Sequence, residues 1–260
     1  MKGRAIATAL ASGALGVGAV AVAHAEPEVI QRGNARVVFD GKLSPHRLPR
    51  SGTAPVRVAV SANIQPVSGK APPQLRRIKI EINRNGHLDT RGLPVCSLSE
   101  IQPSTTQDAL SQCRRSLVGT GTFSAKLLVS GTAPFPSEGK MYAFNSVLHG
   151  RPAILAHVYG TKPAPVSYTI PFEIRKTKGT YGLVLTAEFP QFDSHKGYVS
   201  GISLDLGRNF SAGGRRHSYL SAGCPAPKGF PGAVFPFARA SFAFKSRTLT
   251  STLTRTCQAR

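Results

Sequence analysis

Between residues 166 and 189 apolar and polar positions alternate twice. Val166, Tyr168, Ile170, Phe172 and Ile174 interleave with Ser167, Thr169, Pro171, Glu173 and Arg175. A polar, glycine-bearing break follows at 176–180, and Tyr181, Leu183, Leu185, Ala187 and Phe189 then resume the alternation. Successive strand side chains point to opposite faces, so a period of two marks one buried and one wet face. Two such runs around a short turn predict a β-hairpin.

The pattern recurs along the chain. Strands are expected at 36–40, at 55–64 (Val56, Val58, Val60, Ala62 and Ile64 on one face), and around Ile78, Ile80 and Ile82, before the Asn85-Gly86 turn signal. Further strands are expected at 122–130, 140–148, 152–159, 199–206, 217–224, 237–245 and, Thr-rich, 246–257. Asn145 sits awkwardly inside one of them and reads as a bulge. Residues 26–35 read as a loose lead-in. The Pro- and Gly-rich stretches 41–53, 65–74, 131–139 and 225–236 read as loops.

Only 103–117 has helical character. Ser104 and Thr105 are candidate N-caps, Asp108 suits the first turn, and Leu110, Cys113 and Leu117 would face inward together. Nine to eleven strands with Pro/Gly turns predict an all-β fold. The expectation is β-sandwich-like antiparallel sheets with one short disulfide-stapled helix, an up-and-down barrel being the other arrangement that fits. No low-complexity linker interrupts 26–260, which is expected to be a single domain.

The first 25 residues stand apart. Lys2 and Arg4 precede an uncharged, small and apolar run to Ala23, and Ala23-His24-Ala25 has the form of a cleavage site. This is the pattern of a secretory signal peptide at 1–25. The mature chain is expected to begin near Glu26 and to be secreted, in the extracellular space or at the cell envelope. No later segment has the apolar length of a transmembrane helix. Four cysteines in an exported chain predict two disulfides. Three connectivities exist; the local pairs Cys96–Cys113 and Cys224–Cys257 are favoured, because each closes one supersecondary unit. With no close Cys pair and no His at ligand spacing, no metal is expected, and no cofactor either.

The formal charge is +21, of which Lys2 and Arg4 supply two, leaving +19. No acidic residue follows Leu206. The best interaction patch is the basic turn holding Arg208, Arg215, Arg216 and His217. Such a field attracts polyanions, and the expected partner is an anionic cell-envelope polymer or lipid. Sequence-specific nucleic-acid binding is not expected, and the sequence identifies no protein partner.

Candidate chemistry is sparse. There is no Gly-x-Ser-x-Gly elbow and no His-Glu-x-x-His pair. Gly119-Thr120-Gly121 lacks the lysine of a phosphate loop. Asp193-Ser194-His195 offers acid, hydroxyl and base in a polar turn, but adjacent side chains diverge. Glu173, Glu188 and Asp205 lie on or near strands, where two could oppose one another as glycosidase carboxylates; as wet-face charges they also simply balance the many cations. Tyr168 and Tyr181 fall in the apolar phase, and Trp, the commonest sugar-stacking platform, is absent. The favoured reading is a non-enzymatic secreted or envelope-associated binding or structural protein. The alternatives are a secreted hydrolase and an extracellular polyanion-binding module.

Cys113, Leu117-Val118-Gly119, the Tyr181-Gly182 step, Cys224-Pro225 and Cys257 resemble an uncharacterised group of secreted, disulfide-containing, β-rich actinobacterial proteins. The resemblance spans most of the mature chain. It implies export and carries no activity with it.

Overall fold

A computed structural model describes residues 26–128, 133–162, 165–189 and 197–260. The leader at 1–25 and Asp193-Ser194-His195 lie outside the described residues.

In chain order the strands begin with β1 (Glu28–Arg32), β2 (Ala35–Ser44), β3 (Arg47–Leu48), β4 (Ala54–Pro55), β5 (Arg57–Pro66), β6 (Leu75–Asn83) and β7 (Gly86–Leu88). Two helices, α1 (Leu98–Ile101) and α2 (Thr106–Cys113), come next, with a 3-10 turn at Arg114–Ser116. Then follow β8 (Leu117–Leu127), β9 (Phe135–Leu148), β10 (Arg151–Gly160), β11 (Val166–Lys176), β12 (Tyr181–Glu188) and β13 (Gly197–Leu206). The remainder is β14 (Asn209–Ala212), β15 (Arg215–Ser218), β16 (Leu220–Ala222), β17 (Gly232–Phe244) and β18 (Thr248–Ala259).

Among the described residues thirteen strands form one curled sheet in the order β1-β2-β5-β13-β8-β9-β10-β11-β12-β6-β17-β18-β3. Every pairing in it is antiparallel except the short β18–β3 contact. The 166–189 hairpin is present as β11–β12, with Ile174 opposite Leu185. The fold is thus antiparallel and all-β as the alternation predicts, and the two packed faces are opposing walls of one sheet. Its ends meet: β18 packs against β1 and β2. Phe39 of β2 meets Phe242 of β17 edge-to-face at 5.8 Å.

Four local expectations are corrected. The lead-in contains a strand, because β1 pairs with β2 from Glu28↔Phe39 to Arg32↔Ala35. Residues 41–44, read as loop, continue β2 against β5. The proline-rich stretch 225–236 ends in strand: β17 starts at Gly232, and a register shift beyond Pro236 accommodates the proline and turns both Phe237 and Ala238 inward. Asn145 makes no bulge in the β9–β10 ladder, where it pairs regularly with Ile154. Its Nδ2 donates to Pro94 O at 3.0 Å, and its backbone carbonyl accepts from Cys96 N–H, so a polar residue inside a strand anchors the crossing chain.

That crossing chain is the helical flap. Within the predicted 103–117 stretch, Thr105 caps α2 reciprocally with Asp108. The Cys96–Cys113 disulfide ties its two ends. The flap covers the outer face of β9 and β10, where Ile101, Ala109, Phe144 and Leu155 form a second buried cluster. His157 of β10 is buried on the sheet; burial lowers its pKa and outweighs the Ile101 backbone contact, which acts the other way.

Candidate functional site

Because the neighbouring strands are antiparallel, their ends fall into two sets. One end of the curled sheet gathers the ends of β2, β6, β13 and β18 and the starts of β5, β12 and β17. Most of the chain's elaborations sit here: β3, β4, β7, β14, β15, β16 and the Cys224–Cys257 disulfide.

Inside, packing changes along the strands. At the far end the inward residues are packed: Val37, Ile64 and Ala187 are buried and do not line the cavity. Towards the elaborated end Val58, Val60, Ile80, Ile82, Leu183 and Ile202 keep the inward phase but are only half-buried. They pack against the core on one side and stay partly exposed on the other. Between them lies a cavity of about 100 Å³, lined among others by Phe39, Val60, Ile80, Ile154, Leu185 and Phe242. The lining is mainly aliphatic and aromatic; of its polar members Asn83, Asn85, His87 and Ser221 stand at the elaborated end, and Ser61 lies mid-strand on β5.

A small sheet frames this mouth. Strand β16 pairs with β4 through Ser221↔Pro55 and with β7 through Leu220↔Leu88. Leu88 and Leu220 contribute to the lining. Asn83 fixes the rim: its Nδ2 donates to Pro236 O at 2.8 Å, and its Oδ1 accepts from Asn85 N–H at 3.0 Å and Asn85 Nδ2 at 2.9 Å. Behind the rim Tyr219 is wholly buried, and burial pushes its phenol pKa up.

A second, polar recess of about 390 Å³ adjoins the mouth and shares Asn85, His87 and Gly223 with the apolar cavity. Arg50 stands in its wall. The guanidinium donates to the carbonyls of Ala226 (2.8 Å), Pro227 and Phe230 (2.7 Å). A Cβ on Gly223 would come within 2.6 Å of Gly52 O, so only glycine allows these two segments to pack.

The residues singled out in the sequence are divided by the structure. The Arg208 Nη1 donates to the carbonyls of Arg115 and Leu117, each at 2.7 Å, and burial, with Arg115 nearby, lowers its pKa. His217 Nδ1 lies 3.1 Å from Asp89 Oδ2, and its ring stacks on Phe210 at 5.4 Å. Both are held within the protein. Arg215 and Arg216 are exposed on a β14–β15 hairpin whose Gly213-Gly214 turn has both φ angles positive.

The candidate carboxylates are neutralised on separate strands. Glu173 pairs with Arg175 and His149, Glu188 with Arg77, and Asp205 with Arg57 at 2.6 Å. Asp40, Glu81 and Asp89 are likewise paired, while Glu100 and Asp108 close helix caps. Arg91 holds the Asp89 carboxyl well below the usual range, with His217 assisting. Tyr181 carries the Arg239 guanidinium over its ring at 4.7 Å, and burial raises the Tyr168 phenol to about 12. The grouping Cys96, Glu100, Cys113 has metal-ligand atom types within 4.8 Å, but its two sulfurs are bonded to each other. Among the described residues no helix is long and apolar enough to cross a membrane.

No family model, curated protein or solved structure matches this chain.

Sequence reasoning missed Arg50 and His87. Arg50 lies in a Pro/Gly/Arg-rich stretch that reads as generic loop, and His87 follows an Asn-Gly turn. No spacing links them; the fold brings them to one recess.

Proposed function

We propose that this is an exported, non-enzymatic binding protein that takes a short alkyl segment or ring into the open half of its curled sheet. The carrying observation is the row of inward aliphatic side chains left half-buried around the cavity. In a filled interior such residues would be packed at native density. Engineered apolar cavities of about 150 Å³ stay dry and take benzene, so a space of about 100 Å³ suits a ligand segment of that order. Each buried methylene contributes about 0.8 kcal/mol. Export rests on the leader pattern and on two disulfides, which persist in oxidising compartments.

The test is native mass spectrometry of the protein collected from culture medium without organic extraction. A bound apolar small molecule, lost on denaturation, is the expected result. An empty protein that also fails to take up octanol would contradict the reading.

A second reading concerns the outside. Arg215 and Arg216 are exposed on a hairpin of defined geometry, and neither has an acidic partner among the described residues. They support contact with an anionic envelope polymer or lipid surface. Binding of the protein to isolated envelopes, compared at low and high salt, tests it; binding indifferent to salt would argue against this mode.

A further inference from the structure

We infer that the polar recess at the mouth is a head-group subsite, and that the ligand is a single-chain amphiphile with an anionic head. This inference rests on the proposed apolar-ligand reading and adds the ligand's chemical class and its direction of entry.

Contiguity comes first. The recess and the cavity share Asn85, His87 and Gly223 in their linings, which sets the two spaces side by side; we take them to open into one another, so that one short molecule spans both. The cavity offers a polar head little beyond its mouth, so the tail enters first and the head stays in the recess.

Charge comes second. Arg50 is the one permanently charged side chain lining the recess, and no Asp or Glu lines it. Its three hydrogen bonds all go to carbonyls, which orient the guanidinium without cancelling its charge. The Nε–H and one Nη2–H remain without a protein acceptor among the described residues. The exposed His87 imidazole and the Thr53 hydroxyl bring further donors to the same walls. Among the lining side chains, a cation and donors with no carboxylate select an anion.

Preorganisation comes third. The carbonyls of 226, 227 and 230 already fix Arg50, and the Cys224–Cys257 disulfide fixes the adjacent wall. Little ordering is left to be done when the ligand arrives.

The experiment compares octanoate with octanol by calorimetry at neutral pH, on the wild-type protein and on Arg50→Gln and His87→Ala. Wild-type protein is expected to bind octanoate at least tenfold more tightly than octanol. Arg50→Gln brings octanoate down to the octanol level and leaves octanol affinity the same, and His87→Ala weakens octanoate several-fold. Equal wild-type affinity for the two ligands would overturn the head-group assignment and leave the cavity reading standing. Failure of both to bind would overturn the cavity reading and this inference with it. Competition of acetate with octanoate at comparable affinity would mean a small-anion site independent of the cavity, and would also overturn the assignment. Should Arg50→Gln not fold, the wild-type ratio and His87→Ala decide the matter.

Discussion

Arg255 of β18 donates from Nη2 to Asp40 Oδ1 at 2.7 Å and from Nε to Gly41 O at 2.5 Å. These bonds close the seam between the two ends of the curled sheet. Strand β1 covers β2 only as far as Phe39, so the next part of the β2 edge has no ladder partner on that side. A buried guanidinium supplies what a strand would otherwise provide. A Cβ at Gly41 would sit 3.1 Å from the Leu253 side chain and 3.2 Å from that of Phe237, so β17 and β18 lie close against this point of β2.

Replacing Arg255 with Leu leaves the Gly41 carbonyl without its donor and Asp40 without its cation. Removing one partner of a buried pair costs about 3–5 kcal/mol. Asp40 keeps partial access to water, so a loss of about 2 kcal/mol is expected in chemical denaturation. Arg255→Lys should recover part of it. A variant as stable as wild type would mean the seam is held by apolar packing alone.

The inward face can be tested for emptiness without any ligand. Ile64→Phe overfills a packed region and should cost about 1–3 kcal/mol. Ile80→Phe projects into the cavity and should leave stability unchanged or raised. Equal destabilisation of the two would show that both regions are already full.

Strand positions were legible because alternation is local. The β11–β12 hairpin and the inward phases of β5, β6 and β13 all follow from residues two apart. The cavity was not legible, because alternation says which face a side chain takes and nothing about what stands opposite. Val60 and Ile64 read alike in sequence; one faces open space and the other a packed wall. Arg208 and His217 looked like a free basic patch, yet the carbonyls of Arg115 and Leu117 and the carboxylate of Asp89 come from distant segments. The disulfide pairing was legible because each pair lies within one unit of the chain.

Acid should weaken the protein through Glu81. Hydrogen bonds from Arg239 at 2.6 and 2.8 Å, with Lys79 nearby, lower its pKa from the ordinary 4.5. A depressed folded-state pKa gives stability that is present above the unfolded value and lost as pH falls through the folded one. Unfolding free energy should therefore drop as pH falls below about 4.5, and Glu81→Gln should reduce that part of the drop. An unchanged acid limb in the variant would assign it to other carboxylates.

The two disulfides should differ in consequence. Their sequence separations are 17 and 33, which correspond to about 3 and about 4 kcal/mol of chain-entropy stabilisation. Replacing Cys96 and Cys113 with Ser should loosen the flap and raise hydrogen exchange at 97–113 before the sheet is affected. Replacing Cys224 and Cys257 should instead perturb the recess and weaken octanoate binding.

Charge reversal at Arg215 and Arg216 should lower envelope binding at low salt and leave the melting temperature unchanged, because both side chains are exposed. Retained binding would move the contact elsewhere on the surface.

The most direct measurement is a calorimetric series from butanol to octanol on the wild-type protein and Ile80→Phe. If the open half of the sheet receives an alkyl chain, wild-type affinity rises about fourfold per methylene, as about 0.8 kcal/mol each implies, until the cavity is full, and the rise is cut short in Ile80→Phe. No binding, or affinity indifferent to chain length and to the substitution, would contradict the account.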